Sequence, residues 1–180
     1  MNSNLRMIVA GGGTGGHFFP AQAICESLRS LGVRVKYMGS HYGIESNYYN
    51  KNSSEAMLLN IRGIQRNFNI DACIKNCLFP WRFMQSYLQS RKIINEFNPH
   101  VVIGTGGYSS GLLLLAAIHK DVKTVIQEQN SFPGITTRQL GPKVNKVCIG
   151  FEDAKDYLKK KTLFLQGILF GKIYGLWIRL

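Results

Sequence analysis

The stretch Met7–Pro20, MIVAGGGTGGHFFP, decides the predicted fold. The four apolar residues before the glycines are typical of a short buried strand, and apolar residues recur at helical spacing after the stretch. We therefore predict a strand, a glycine turn and a helix with Pro20 in its first turn, where a missing N–H does no harm. A glycine turn at the start of a helix leaves backbone N–H groups free for an anionic or phosphorylated ligand.

The first glycine loop (Gly11–Gly16) can be compared with three known kinds of loop. It matches the G-x-G-x-x-G pattern of dinucleotide sites, but the second strand ends without the acidic residue that binds the ribose, and the first acid beyond it is Glu45. A Walker loop requires lysine where His17 stands. A purely structural turn needs neither five glycines nor the histidine. The pattern favours a loop that approaches a ligand and presents an imidazole to it.

The composition favours a single globular domain with a polyanionic partner. The chain has 180 residues, 45% of them hydrophobic, and 22 basic against 10 acidic residues give a net charge of +12. A surplus of this size indicates an acidic membrane surface or a phosphorylated substrate. Neither zinc-finger spacing nor a single-strand-binding motif is present, so we expect no nucleic acid partner.

The four cysteines lie scattered among apolar residues. Cys73 and Cys77 could share a helix face, but no histidine or second pair completes a metal set, so we expect buried thiols, a reducing compartment and no bound metal. The apolar run before the first glycine loop is too short for a signal peptide, so we expect the chain to act on the cytoplasmic side.

Apolar runs that alternate with helical stretches predict an α/β fold, a Rossmann-like parallel sheet with helices on both faces. The predicted strands are 7–10, 33–38, 56–60, 100–104, 123–127 and 146–149. Helices are predicted at 112–119, 136–140 and 152–160, with a long helical stretch over 70–97 that Pro80 could interrupt and that ends at Asn98-Pro99.

A second glycine loop (Gly104–Gly111), GTGGYSSG, follows the fourth strand, and the polar segment Glu128–Gly134 follows the fifth. The carboxyl ends of parallel strands share one edge of the sheet, which is where such sheets bind ligands. We therefore expect both glycine loops and the side chains of Glu128, Gln129 and Asn130 to border one crevice, where they could bind sugar hydroxyls or a diphosphate.

The stretch over residues 70–83 interleaves aromatic and basic side chains. One interpretation is a core-facing helix with a solvated basic face. The sharper interpretation is a patch that inserts apolar side chains among acidic lipid headgroups. Its predicted membrane contacts are Ile74, Lys75, Leu78, Phe79, Trp81, Arg82 and Phe83.

Four segments in order resemble glycosyltransferase family 28: GGTGGHFFP at 12–20, IGTGGYSSG at 103–111, IQEQNSFPG at 126–134 and VCIGFEDA at 147–154. The match is to the N-terminal half of enzymes that add N-acetylglucosamine to a lipid-linked precursor in bacterial cell-wall synthesis. It implies the GT-B architecture, in which two Rossmann-like domains face each other. The N-terminal domain receives the undecaprenyl-diphosphate-linked muramoyl-pentapeptide, and the C-terminal domain binds most of the UDP-N-acetylglucosamine.

The resemblance also implies residue roles. His17 is the expected general base for the muramoyl 4-hydroxyl, a task that suits an imidazole titrating near neutrality. The expected donor contacts are Thr14, Gly15, Gly16 and Asn130, and the expected acceptor contacts are Gly106, Gly107, Tyr108 and Glu128. UDP-N-acetylglucosamine is a substrate, and no cofactor or metal is expected. The family acts peripherally on the cytoplasmic face of the plasma membrane. One local departure is Gln127, where the family often has histidine.

The resemblance sets the expected domain boundaries at 1–160 for the acceptor-side domain and 161–180 for an aberrant tail. In the family a Thr-Gly-Asn-Pro linker and a donor domain follow, and the tail LFLQGILFGKIYGLWIRL contains neither. Residues 164–174 are compatible with that linker in a shifted reading frame. We hypothesise that residues 163–180 are a frameshift product that packs poorly on the core, with a membrane tail or an amphipathic anchor as alternatives.

The expected function is therefore the acceptor-binding half of a glycosyltransferase, inactive by itself. An alternative is an acceptor-binding, membrane-recruiting subunit that works with a separate donor-domain chain, as in eukaryotic relatives. A nucleotide-cofactor-binding oxidoreductase domain is the third possibility, and it depends on the G-x-G-x-x-G pattern alone.

Overall fold

The computed structural model describes residues 4–49, 54–63, 76–158 and 163–165. Seven strands in these residues form one sheet, in which all neighbours are parallel. They are β1 (Arg6–Ala10), β2 (Arg34–Ser40), β3 (Ala56–Leu59), β4 (Val101–Gly104), β5 (Lys123–Glu128), β6 (Lys146–Ile149) and β7 (Leu163–Leu165). Their order across the sheet is β3-β2-β1-β4-β5-β6-β7. The chain reverses its direction of winding between β1 and β4, which is where a crevice forms in such sheets.

Five α-helices and one 3-10 helix are described around the sheet. They are α1 (Gly15–Ser30), α2 (Glu45–Tyr48), α3 (Phe79–Phe97), α4 (Gly107–Ile118), α5 (Ile135–Leu140) and the 3-10 helix Glu152–Tyr157. Asn98 ends α3 in the left-handed conformation, with φ 48°, as the Asn98-Pro99 pair predicts.

Both faces of the sheet are buried, which explains why its strands read as continuous apolar runs. In β1, Ile8 and Ala10 belong to the core on the side of α3 and α4. Met7 and Val9 belong to the core on the opposite side, against α1. The sheet is therefore fixed from both sides, and its loops at the carboxyl edge start from a rigid base.

The predicted α/β fold is confirmed, and all six predicted strands are present within two residues of their predicted ends. The helix starts are less accurate. The helix α1 begins at Gly15, so Pro20 lies inside it rather than in its first turn, and His17 lies in that first turn. Residues 76–77 are helical, Leu78 is a turn and α3 starts again at Phe79, so the helical stretch is interrupted beside Pro80, as predicted, and Pro80 lies in the first turn of α3. Residues 70–75 lie outside the described residues.

The tail differs from its prediction where it is described. Residues Leu163–Leu165 form β7 and pair in parallel with β6, so this part of the backbone extends the sheet instead of packing poorly on it. The remainder of residues 161–180 lies outside the described residues. The frameshift hypothesis stays a prediction.

The cysteines follow the prediction only in part. Cys25 and Cys148 are buried, and burial raises the pKa of Cys25 to about 12 and that of Cys148 to about 11. Cys77 is exposed, so the prediction of a buried thiol is wrong there. Cys73 lies outside the described residues.

Candidate active site at the carboxyl edge of the sheet

The two glycine loops lie side by side because β1 and β4 are neighbours, with Ala10 opposite Gly104. The Thr105 N–H donates to the Ala10 carbonyl at 2.8 Å and joins the loops where the strands end. Gly107 has φ 85°, and a Cβ there would lie 2.5 Å from the carbonyl oxygen of Gly12. This close approach of two backbones explains why the second loop needs glycine at that position.

His17 is half-buried between the loops. Its Nδ1 lies 2.9 Å from the carbonyl oxygen of Thr105, which can only accept a hydrogen bond, so Nδ1 carries the proton. The side-chain amide nitrogen of Gln129 lies 2.8 Å from the same ring nitrogen, and because two N–H donors cannot bond each other, a proton on Nδ1 requires the interchangeable oxygen of this amide to face the ring instead. The Thr105 hydroxyl donates to the His17 carbonyl at 2.7 Å. With Nδ1 engaged, Nε2 is the basic nitrogen, and it has no hydrogen-bond partner among the described residues.

The first glycine loop is held from the side of β2. Tyr37, on β2, donates its hydroxyl proton to the Gly11 carbonyl. Burial and then the nearby charge of Glu45 raise the pKa of Tyr37, which keeps this hydroxyl protonated as a donor. Glu45, at the start of α2, accepts from the Gly13 N–H with both oxygens at 3.0 Å.

The second glycine loop has no comparable support. Gly106 precedes α4 with φ 112°, and no side chain caps this helix. Ser109, in the first turn of α4, is 1% exposed, and its hydroxyl has no hydrogen-bond partner within the described part of the chain. The N-terminus of α4 therefore combines uncapped N–H groups with an unpartnered donor, a combination that suits an anion.

Glu128 is the last residue of β5, one residue beyond the predicted strand end, and Asn130 follows it; the two residues bind each other. One oxygen of Glu128 accepts from the Asn130 backbone at 3.1 Å and from its side-chain amide at 2.9 Å. The other oxygen accepts from the Gly134 N–H at 3.1 Å. Glu128 is 2% exposed. In this conformation its carboxylate shapes the loop after β5.

Two cavities flank His17 and α4. The first, of about 320 Å³, lies between the glycine loops and the ends of β2 and β3. The second, of about 350 Å³, lies between α4 and the loop after β5. His17, Gly107 and Tyr108 line both cavities, and the position of His17 agrees with the prediction that its ring faces a cleft.

The predicted site residues are distributed unevenly over these cavities. Thr14 lines the first cavity, while Gly106 and Glu128 line the second. Gly15, Gly16 and Asn130 are not among the lining residues of either one.

Sequence reasoning missed the wall of the first cavity that the ends of β2 and β3 supply. It consists of Ser40, Tyr42, Ile61, Arg62 and Gly63. The guanidinium of Arg62 lies 5.0 Å from the centre of the Tyr42 ring, and that of Arg82 lies 5.7 Å from it. No motif marks these residues, and they come together only because β2 and β3 are adjacent.

The aromatic-basic stretch divides into two groups of side chains. Leu78 is 43% and Trp81 is 64% exposed, as a membrane contact requires. Phe79 and Phe83 are half-buried against the core, so these two belong to the packing of α3. Arg82 is half-buried, and Ile74 and Lys75 lie outside the described residues.

The exposed apolar face of α3 also extends further than the sequence reasoning expected. Met84 is 51% and Leu88 is 56% exposed, and they continue the row that Trp81 begins, at helical spacing. The exposed apolar row therefore consists of Leu78, Trp81, Met84 and Leu88, and its contact with a membrane stays a prediction. In the described part of the chain no helix is long and apolar enough to span a bilayer.

Two alternatives can be tested against this geometry. Glu45 is fully buried and bonded to the first glycine loop, so it is not available to the ribose of a dinucleotide. Among the described residues no three His, Cys, Asp or Glu side chains cluster closely enough to hold a metal ion.

Comparison with known proteins identifies relatives of this chain. The model of the glycosyltransferase family 28 N-terminal domain matches residues 7–149. The UDP-N-acetylglucosamine–N-acetylmuramyl-(pentapeptide) pyrophosphoryl-undecaprenol N-acetylglucosamine transferase of Christiangramia forsetii is 40% identical over 93% of this chain and 45% of that protein. The enzyme of the same name from Latilactobacillus sakei is 41% identical over 89% of this chain and 45% of that protein. The chain thus spans about half the length of the curated relatives it matches.

Solved structures agree with the fold. The crystal structure of Acinetobacter baumannii MurG matches with a TM-score of 0.74 and 24% identity over 90% of this chain and 45% of that one. A Methanocaldococcus jannaschii UDP-GlcNAc 2-epimerase, crystallised with UDP-GlcNAc and UDP, matches with a TM-score of 0.62 and 13% identity, over 89% of this chain and 45% of that one. At these identities the likeness establishes a shared Rossmann-like fold.

Proposed function

The chain belongs to the family of glycosyltransferase family 28 N-terminal domains, and from this premise we propose that it is the acceptor-binding half of an N-acetylglucosaminyltransferase of peptidoglycan synthesis. The complete reaction would transfer N-acetylglucosamine from UDP-N-acetylglucosamine to an undecaprenyl-diphosphate-linked muramoyl-pentapeptide. The names of the curated relatives support this substrate pair.

The position of His17 is the observation that carries the proposal. Its Nδ1 is held by the Thr105 carbonyl, and its Nε2 is the basic nitrogen beside both cavities. In the proposed reaction Nε2 accepts the proton of the acceptor hydroxyl while the hydroxyl oxygen attacks the anomeric carbon of the donor. The bond from that carbon to the UDP oxygen breaks with inversion, and UDP leaves with the bonding electrons.

The acceptor diphosphate would bind at the N-terminus of α4. Gly106, Gly107 and Tyr108 surround this helix end, and the buried hydroxyl of Ser109 in its first turn has no partner among the described residues. Glu128 would act on the acceptor indirectly, through the shape of the loop after β5. This division puts the anionic part of the acceptor next to His17.

The donor would contact this half from across the cleft. Thr14 lines the first cavity and is the best supported of the proposed donor contacts. Gly15 and Gly16, in the first turn of α1, would present backbone rather than side chains. Asn130 would have to exchange its bond with Glu128 for a bond to the donor.

A transfer assay tests the function. We would join residues 1–165, which include β7, to the C-terminal half of the Christiangramia forsetii relative and measure transfer of labelled N-acetylglucosamine from UDP-N-acetylglucosamine to the lipid-linked acceptor. We expect transfer by this chimera and none by the 180-residue chain alone. Activity on mixing that chain with a separately expressed C-terminal half would favour the split-subunit alternative. A folded chimera that binds the donor but transfers nothing contradicts the proposal.

We also propose that the exposed row Leu78, Trp81, Met84 and Leu88 contacts an anionic membrane surface at the cytoplasmic face. The net charge of +12 supports attraction to acidic lipids, and this attraction should weaken with salt because exposed charges are screened within about 8 Å at physiological ionic strength.

Vesicle sedimentation tests the membrane contact. Trp81→Ser should weaken binding to phosphatidylglycerol vesicles without lowering Tm, because the side chain is 64% exposed. Tyr157→Ser, which alters an aromatic residue that is 49% exposed elsewhere on the surface, is the control. Phe79→Ser should instead lower Tm, since Phe79 packs against the core. Equal binding by Trp81→Ser and the unchanged chain contradicts this assignment.

A further inference from the structure

Glu45 is a buried carboxylate that the proposed reaction does not use. It is 0% exposed, although glutamate is rarely buried without a cationic partner. Both oxygens lie 3.0 Å from the Gly13 N–H, and one oxygen accepts from the Ser40 N–H at 2.7 Å. Among the described residues no lysine, arginine or histidine forms an ion pair with it. Its charge is therefore stabilised by backbone N–H groups, as a bound anion would be.

Three glycines form a cradle around this side chain. A Cβ on Gly12 or Gly43 would overlap the carboxylate, and a Cβ on Gly39 would lie 2.7 Å from Cγ of Glu45. These glycines come from the first glycine loop, the end of β2 and the turn before α2. The space that they leave is filled by Glu45, so the same glycines that suggest a ligand loop in the sequence make room for a side chain of the chain itself.

We propose that Glu45 is the internal anion of the first glycine loop and, given the proposed function, the positioning residue for His17. The loop N–H at Gly13 is occupied before any substrate binds, so this N–H is not free for a phosphate. The conformation of the turn is set by the fold instead. Gly13 precedes α1 by two residues and His17 lies in the first turn of α1, so fixing Gly13 fixes the start of the helix that carries the imidazole.

The position of Glu45 also bears on the acidic residue that dinucleotide sites have after the second strand and that is missing here. In dinucleotide sites the acid after the second strand points outward to the ribose. Here the first acid after β2 lies in α2, and its side chain turns inward to the glycine loop. The same region of the fold thus supplies a carboxylate to the protein rather than to a ligand.

The test uses the 180-residue chain and needs neither donor nor acceptor. Glu45→Ala removes the two carbons and two oxygens that acetate contains, so acetate can refill the cavity. Without acetate we expect Tm to fall by about 6 °C or more, the shift that the loss of hydrogen bonds to a buried carboxylate gives in a domain of this size. We also expect the His17 ring to lose its single Nδ1–H tautomer in ¹H–¹⁵N NMR spectra, because its helix start is no longer fixed.

Acetate should restore both the Tm and the His17 signals of Glu45→Ala with saturation, since a ligand that binds only the folded state stabilises it. Acetamide, which has the same shape without the charge, and sodium chloride of equal ionic strength should not. The unchanged chain and Glu96→Ala, which alters an exposed carboxylate on α3, should show no saturable acetate effect. Unchanged His17 signals in Glu45→Ala, or equal acetate effects on all three proteins, overturn the proposal.

If Glu45→Ala does not fold, Glu45→Gln keeps the volume and replaces one acceptor oxygen by a donor. It should lower Tm by about 3 °C or more and give a second set of His17 signals. A single, unchanged set of His17 signals in this variant overturns the positioning role. Because no measurement here involves transfer, an inactive chimera with intact acetate rescue would contradict the proposed function alone.

Discussion

The two glycine loops start from adjacent strands and have similar sequences, but their backbone N–H groups have different partners. In the first loop the Gly13 N–H is bound by Glu45, and Tyr37 holds the Gly11 carbonyl. In the second loop the N-terminus of α4 has no side-chain cap, and the buried hydroxyl of Ser109 has no partner in the described structure. The helix after the first loop also lacks a side-chain cap, so the difference lies in the turns: Glu45 closes the first loop, and no described side chain binds the N–H groups of the second, open loop.

This difference separates two tasks that a glycine motif can have. A run of glycines predicts that the backbone closely approaches another group, but the identity of that group depends on residues far away in sequence. Glu45 stands 32 positions after Gly13 and decides that the first loop is a rigid support for His17. We infer that the closed loop positions His17 and the donor contacts, and that the open loop binds the acceptor.

The largest expected effect comes from His17, the imidazole in the first turn of the helix that follows the closed loop. In the chimera, His17→Ala should lower kcat by about 10²–10⁴, as expected for a lost general base, with little change in the KM for the donor. Steady-state kinetics over the pH range measure this effect. Thr14→Ala is the comparison variant, and it should mainly raise the KM for the donor.

A near-normal kcat of His17→Ala at every pH would contradict the proposal that His17 is the general base. His17 would then be a residue that only shapes the first glycine loop. Glu128 would become the next candidate, although it would first have to release the N–H groups of Asn130 and Gly134.

The next effect compares one glycine from each loop. Gly13 has φ 88° and Gly107 has φ 85°, so alanine is strained at both positions. A Cβ on Gly13 meets no atom within 4 Å, and Gly13→Ala should cost about 1–2 kcal/mol through strain alone. A Cβ on Gly107 meets the Gly12 carbonyl at 2.5 Å, so Gly107→Ala should cost about 3 kcal/mol or more.

Urea denaturation of the 180-residue chain measures both free energies of unfolding. Equal losses for the two variants would mean that the loops can separate without cost, contrary to the close backbone contact in the structure. If Gly13→Ala lowers the free energy of unfolding more than Gly107→Ala does, the tighter packing lies at Gly13, contrary to the structure.

The strands were predictable because their signal is local. A buried parallel strand such as β4 is a run of β-branched residues ahead of glycine, and no other residue is needed to identify it. The pairing of β1 with β4 then brings the two glycine loops together at one edge of the sheet, as predicted. The bond of His17 to Thr105 follows from that pairing and was not itself predicted.

The helix starts and the two buried carboxylates were not predictable in the same way. Glycine has a low helix propensity, so the sequence favoured a later start than Gly15 for α1 and Gly107 for α4. Sequence reasoning assigned no role to Glu45, which is only the first acid beyond the second strand, and the resemblance implied that Glu128 contacts the acceptor. Their bonds to loop N–H groups follow from tertiary placement, and for Glu45 the only sequence signal is a set of surrounding glycines that a ligand could equally explain.

The smallest expected effect compares two buried serines, one beside each loop. Ser40 donates to the Ile61 carbonyl at 2.6 Å and accepts from the Tyr42 N–H at 3.1 Å, so Ser40→Ala should cost about 1–2 kcal/mol. The hydroxyl of Ser109 has no partner among the described residues, so Ser109→Ala breaks no such bond and should change the free energy of unfolding by less than about 0.5 kcal/mol. In the chimera the same variant should raise the KM for the acceptor if the hydroxyl, which is buried in the free chain, donates to a phosphate oxygen when the acceptor binds. Urea denaturation measures the free energy of unfolding of both variants, and steady-state kinetics of the chimera measure the KM for the acceptor. If Ser109→Ala destabilises the chain as much as Ser40→Ala, the hydroxyl has a partner within the protein, and the contrast between a closed and an open loop fails at this position.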